Sequence, residues 1–293
     1  MKTLFPALLF SLLALASCGS DSGGKAPALR FCAIPDQNAT ELEAKYGQVA
    51  DYLAQELGVE VEFVPTADYG ASVDAFRNGD VQLAWFGGLT GVRARSYVPG
   101  ARAIAQGKVD PLFYSYFIAN ASTRIEPGDD FPMALKGHTF TFGSESSTSG
   151  RLMPEYFIRE ATGMSPTEFF AGEEMNFSGS HDKTALLVAE GTFDAGVLNY
   201  KVYDAMVAEG KIDPEVCRVI WKTPTYPDYN WTAHPILEEE FGAGFTDRLQ
   251  AALVGIHDPA LLEALQRPEG MIPAANEDFA PLAELAKTLG LLR

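Results

Sequence analysis

Ser147-Thr148-Ser149-Gly150 lies between a strand-like run, His138-Thr139-Phe140-Thr141-Phe142-Gly143, and a helix-like one, Arg151-Leu152-Met153-Pro154-Glu155-Tyr156-Phe157-Ile158. Hydroxyl residues at such a junction stand where the first-turn N–H groups of a helix have no intrahelical partner. Those donors and the positive end of the helix dipole favour an anion, and three small hydroxyls add donors of their own. The same residues also suit an ordinary Ser/Thr N-cap, which needs no ligand. What lies on either side decides between the two.

Strand and helix patterns alternate outward from this point in both directions. Residues 29–34 form a first apolar strand; Leu42, Tyr46, Val49, Leu53 and Leu57 then fall at helical spacing up to Gly58. Val59, Val61 and Phe63 alternate as a strand stopped by Pro65. A helix over 69–77 leads through Asn78-Gly79-Asp80 into the strand 81–86, and Gly87-Gly88 opens another helix. Strands are expected at 101–106 and 113–119, and again at 193–198 and 217–222 with helices over 181–190 and 200–209 between. The remainder is helical, with Leu261, Leu262, Leu265, Leu282, Leu285 and Leu289 marking apolar faces. Such alternation predicts an α/β fold with largely parallel sheets. Ligands of these sheets bind at the carboxyl ends of strands. Three polar or glycine-rich turns occupy that position: Asp36-Gln37-Asn38, Gly87-Gly88-Leu89-Thr90 and Ser147 to Gly150. Together they predict one shared cleft.

The N-terminus predicts export. Met1-Lys2 precedes an apolar run over 4–16 that closes with Leu15-Ala16-Ser17-Cys18. The run is too short to span a bilayer and has the flanks of a cleaved signal. It resembles a bacterial lipoprotein signal over 1–17, with Cys18 as the lipidated first residue of a periplasmic, membrane-anchored chain. A plain secretory signal with an incidental cysteine is the alternative reading. Residues 18–27 then read as a flexible tether, rich in Ser and Gly.

About 275 residues remain beyond the signal, enough for two modest domains. A hydrophobic content of 47% with 21% charged residues describes a globular chain. The net charge of −17 excludes nucleic acid as a partner, because there is no basic patch to release counterions. An anion gains nothing from that overall field, so local N–H groups and hydroxyls must hold it. Cys32 and Cys217 allow either one disulfide or two buried thiols. No Cys/His spacing matches a metal site, and no cofactor is implied.

The order of these motifs resembles the phosphonate/phosphite periplasmic binding proteins of ABC importers. The resemblance is carried by residues 29–38, Asp68-Tyr69-Gly70-Ala71, VQLAWFGGL at 81–89, Ser147 to Gly150, Ser180-His181-Asp182, residues 194–199, and Val219-Ile220-Trp221-Lys222-Thr223-Pro224. The opening Ile34-Pro35-Asp36-Gln37-Asn38 is most similar to the selenate-transporter branch. The resemblance implies a two-domain periplasmic-binding-protein fold of type II, with the ligand cleft between lobes. Lobe 1 would comprise 28–118 plus 224–293 and lobe 2 119–223, with crossovers near 117–120 and 221–224. It also implies a monomeric solute-binding protein that hands a small oxyanion to an ABC permease with its ATPase.

Site residues follow from the same resemblance. Ser147, Thr148 and Ser149 would hold the oxyanion, with Tyr69 and His181 at the positions of the family's binding tyrosine and histidine. Asp228 falls near an aspartate that contacts the ligand amine in aminophosphonate binders. His181 could act protonated or neutral, since a histidine's ordinary pKa leaves both open. Asn199 either touches the ligand or caps the helix that starts at Tyr200. Two departures stand out. Phe113 replaces the family's second binding tyrosine, with Tyr114 or Tyr116 as candidate substitutes, and the amine-binding glutamate has no clear counterpart. Both favour a compact ligand: selenate, phosphite, phosphate or a phosphonate. An oxyanion sensor is a second reading. An enzyme using His181 as base is a third, and it lacks a legible nucleophile–base–orienter set.

Overall fold

The computed structural model describes residues 27–292, so the signal and Cys18 lie outside the described residues. The chain builds two sheets. In the first, β1 (Leu29–Ala33) pairs in parallel with β2 (Val61–Phe63) and β3 (Leu83–Phe86). Between them, α1 (Ala39–Leu57) starts at Asn38, whose side chain accepts from the N–H groups of Thr40 and Glu41, and ends at Gly58 in the left-handed conformation. The helix α2 (Tyr69–Arg77) starts at Asp68, which accepts from the Ala71 N–H. Next come α3 (Gly88–Tyr97) and β4 (Arg102–Gly107).

The chain then crosses to the second sheet as β5 (Ser115–Asn120), followed by β6 (Phe140–Phe142) and α4 (Met153–Thr162). The short α5 (Pro166–Phe169) and β7 (Asn176–Phe177) lead to α6 (His181–Ala189), β8 (Ala195–Asn199), α7 (Tyr200–Ala208) and β9 (Cys217–Lys222). It returns through β10 (Asn230–Ala233) to complete the first lobe. That lobe closes with α8 (Leu237–Phe241), α9 (Phe245–Val254), α10 (Pro259–Ala264), β11 (Met271–Pro273) and α11 (Ala280–Thr288).

The strand orders are β11-β4-β10-β3-β1-β2 and β7-β6-β8-β5-β9. Both sheets are mixed, which corrects the expectation of largely parallel ones. Strand β10 runs antiparallel to β3 and β4, and β5 antiparallel to β8 and β9. Each crossing of the chain delivers one strand against the prevailing direction, a reversal that periodicity within a strand does not record.

The seam between lobes also differs from the expected one. Phe117, Ile118 and Ala119 are buried inside β5, in the second sheet. The passages between sheets are therefore residues 108–114 and 223–229. They run side by side, with Phe113 and Tyr226 exchanging both backbone hydrogen bonds at 2.9 Å. The apolar run 113–119 reads as one strand, yet its first residue pairs with the other crossover. Each lobe has its own hydrophobic core, the second lobe on both faces of its sheet. Cys32 and Cys217 are buried free thiols, one in each sheet, and burial pushes both up to about 12.

Candidate functional site

The three anticipated turns meet at the carboxyl ends of β1, β3 and β6. At the first, Asp36 is buried, its Oδ2 accepting from the Tyr229 hydroxyl at 2.7 Å. Its carbonyl accepts from the N–H of His181 in the opposite lobe at 3.0 Å. At the second, the Gly88 N–H donates to Asp228 Oδ1 at 2.8 Å and the Leu89 N–H to Thr148 Oγ1 at 2.9 Å. A Cβ on Gly87 would stand 3.2 Å from Asp228 Oδ1 and 3.3 Å from Thr148 Oγ1, so glycine permits the close approach.

At the third turn Ser147 is the N-cap, its Oγ accepting from the Gly150 N–H at 2.9 Å. The cap and anion readings thus concern one residue that can do both, since its hydroxyl hydrogen remains free to donate. The turn over Thr148–Leu152 is π-helical, one residue wider per turn than the α-helix that follows. It folds back on the strand end, with the Gly143 N–H donating to the Gly150 carbonyl at 2.9 Å. The Ser115 hydroxyl ties down the Ser149 carbonyl at 2.7 Å.

His181 opens α6 beside this turn, its Cε1 3.2 Å from where a Cβ of Gly150 would sit. Its Nδ1 accepts from the Asn199 N–H at 3.4 Å, which leaves the ring hydrogen on Nε2. Burial pushes its pKa down to about 3, so the ring is neutral at ordinary pH. Of the two states open to the sequence, the folded protein holds the uncharged donor. Asn199 caps α7, its Oδ1 accepting from the Lys201 N–H at 2.8 Å, and its Nδ2 donates to the Tyr229 hydroxyl at 3.0 Å.

Four buried polar atoms among these residues have no hydrogen-bond partner within the protein: Tyr69 Oη, Ser149 Oγ, His181 Nε2 and Asp228 Oδ2. With Ser147 and Thr148, their residues are each no more than 2% exposed. Three of the four can donate, and they come from different elements of both lobes. A buried polar atom without a partner is costly, which makes these four the candidates for contact with a ligand. The electrostatics agree. Burial pushes the Asp228 carboxyl up to about 7, against the opposing pull of the Gly88 N–H and the Thr148 hydroxyl. Burial likewise raises Asp36, despite the hydroxyl of Tyr229. Tyr69 is held far above its ordinary value by burial, then by the Asp36 and Asp228 carboxylates beside it.

Tyr114 and Tyr116 do not replace the hydroxyl missing at Phe113. Tyr114 stacks on Tyr200 at 3.8 Å with Lys222 Nζ also 3.8 Å from its ring centre, and Tyr116 packs on Tyr203. Phe113 is fully buried against Tyr200, Tyr226 and Tyr229. Sequence reasoning missed Tyr229, whose hydroxyl donates to Asp36 and accepts from Asn199, together with Asp36 itself. Asp36 carries a signal, being in the first polar turn; Tyr229 carries none beyond following Asp228.

Residues 31–279 match the family described as ABC transporter, phosphonate, periplasmic substrate-binding protein. The chain belongs to this family. It is 40% identical over 273 residues to the probable ABC transporter phosphite binding protein PhnD1 of Prochlorococcus marinus, covering 90% of this chain and 91% of that one. The phosphate-import protein PhnD of Mycolicibacterium smegmatis is 32% identical over 237 residues, covering 76% and 73%. The solved structure of Prochlorococcus marinus PhnD1 in complex with methylphosphonate superposes with a TM-score of 0.85 at 37% identity, covering 90% and 99%. The fold is the type II, two-lobed one that the motif order implies. As a family member the chain is a periplasmic binding protein that works with an ABC transporter, and its relatives are transport proteins rather than enzymes.

Proposed function

We propose that this binding protein captures a small tetrahedral phosphorus oxyanion, phosphite or a short phosphonate, and delivers it to its permease. The observation that carries this is that Tyr69 Oη, Ser149 Oγ, His181 Nε2 and Asp228 Oδ2, from elements of both lobes, are all buried without a partner. In this reading Ser147, Thr148, Ser149, Tyr69 and His181 donate to ligand oxygens. Asp228 Oδ2 accepts, or shares, a single proton with the ligand, because two bare anions cannot be adjacent in a buried site. Asn199 acts one layer out, holding His181 and Tyr229. One relative, Prochlorococcus marinus PhnD1, is both described as a phosphite binder and solved in complex with methylphosphonate, which supports the same ligand class. Selenate brings no proton of its own near neutrality, so it must draw the shared one wholly from Asp228 and binds more weakly.

The protein acts as a monomer anchored by lipid on Cys18, with residues 18–27 as the tether. Competition calorimetry tests the ligand. Phosphite and methylphosphonate are expected to displace both selenate and 2-aminoethylphosphonate. The latter's ammonium finds no free carboxylate beyond Asp228, and an unmatched buried polar group costs about 1–3 kcal/mol. Tighter binding of the aminophosphonate would mean that Asp228 holds the amine, and would overturn this reading.

A further inference from the structure

Behind the site lies a buried ion pair. Arg267 and Asp110 have side-chain exposures of 2% and 0% and meet in a two-point contact, Nη2 to Oδ1 at 2.7 Å and Nε to Oδ2 at 2.8 Å. Arg267 Nη1 donates to the carbonyls of Leu265 and Gln266 at 3.2 and 3.0 Å. Gln266 is one of two non-glycine residues in the left-handed region among the described residues, with φ 53°. Such a conformation persists only where its surroundings enforce it. Gly107 leaves the space for the guanidinium stem, since a Cβ there would stand 2.3 Å from Arg267 Cδ.

The pair touches the site from two sides. Asp110 lies in the first crossover, and its carbonyl accepts from the Asp228 N–H at 3.0 Å in the second. The Arg267 guanidinium lies over the rings of Tyr229, Trp85 and Phe113, at 4.8, 5.2 and 5.9 Å from their centres. Tyr229 in turn stacks on Trp85 at 5.6 Å and delivers its hydroxyl to Asp36 while receiving Asn199. One guanidinium therefore fixes a ring on one side and, through Asp110, the backbone of a site carboxylate on the other.

We propose that Arg267, locked by Asp110, is a positioning residue for oxyanion binding, setting the placement of Asp228 and Tyr229 without touching the ligand. This rests on the reading of the site given above. An ordinary buried ion pair would affect only folding; removing one partner of such a pair is strongly destabilising, whereas exchanging both can be neutral. The rigid planar fork separates the two roles. Lysine keeps the charge but offers one point of contact and no flat face for Tyr229.

The experiment measures the phosphite dissociation constant by calorimetry for the parent, Arg267→Lys and the paired Asp110→Asn/Arg267→Gln. Each is first shown to be folded by circular dichroism and thermal melting. Both folded variants are expected to bind at least about tenfold more weakly, so that lysine restores the fold but not the affinity. Affinity within about twofold of the parent in either folded variant overturns the proposal. Should neither fold, Tyr229→Phe leaves the ion pair intact and removes its delivered hydroxyl. A similar loss is expected there, and parental affinity overturns the proposal. A parent that binds neither phosphite nor methylphosphonate overturns the reading of the site and this inference with it, an outcome distinct from a loss-free Arg267 variant.

Discussion

The Leu89 N–H donates to Thr148 Oγ1 at 2.9 Å, joining the first turn of a helix in one lobe to the hydroxyl turn of the other. The contact is fully buried, with Thr148 2% exposed. Thr148 therefore does two things at once: it satisfies an orphan helix donor across the cleft, and its own hydrogen is free for Asp228 or a ligand oxygen.

Thr148→Val keeps the shape and removes both functions. Hydrogen bonds to charged groups contribute about 1.5–3 kcal/mol, so affinity for phosphite should fall by roughly 10- to 150-fold. Calorimetry at one temperature checks it. Unchanged affinity would place the ligand away from this turn.

Affinity should depend on pH through Asp228, whose carboxyl burial holds up to about 7. The complex needs one proton between Oδ2 and the ligand, supplied by either. As pH rises above about 7 both partners lose it, and affinity should fall by up to about tenfold per unit. Asp228→Asn should flatten the profile, since an amide has no proton to lose. Titrations across about pH 6 to 9 would detect either outcome, and a flat parental profile would remove the shared proton.

His181 makes a second, oppositely signed contribution to stability. Its folded pKa is about 3 against 6.5 for an ordinary histidine, so the unfolded chain takes up a proton that the folded one refuses. The stability it contributes is present above pH 6.5 and lost as pH falls toward 3. Asp228, raised to about 7, does the reverse, favouring the folded state as it protonates. His181→Gln removes one side of this balance. Its stability relative to the parent should rise by about 2 kcal/mol between about pH 7 and pH 5. Urea unfolding at both pH values gives the gap, and a constant gap would mean that the ring is not held neutral.

Anchoring is tested in cells. Cys18→Ala should move the protein from the membrane fraction to the soluble periplasm. A variant that still pellets with membranes would count against lipid on Cys18.

The strand-to-helix junctions are legible because each is local: an apolar run, a polar or glycine turn, then helical spacing. Ser147 announces itself by its position before Met153-Pro154-Glu155, and Asn38 by closing a polar turn just ahead of a helix. What local pattern does not carry is pairing over distance. Tyr229 meets Asp36 across 193 positions, and nothing in either neighbourhood records it. The protonation of His181 is illegible for the same reason, since burial by both lobes sets it. The seam at 108–114 is hidden because Phe113 and Phe117 look alike in sequence and are both buried, while the backbone of one pairs with the other crossover and that of the other with β8.

The two crossovers run side by side, bridged at Phe113 and Tyr226, and the first carries a 3-10 turn over Asp110–Leu112. Apparent affinity is the intrinsic affinity scaled by the fraction of molecules in the closed form. A change in the crossovers that alters only this fraction rescales binding for every ligand alike, while changes at the strand ends reorder the ligands among themselves. Asp228 and Tyr229 lie in the second crossover itself, so in that stretch grip and choice are set by the same residues.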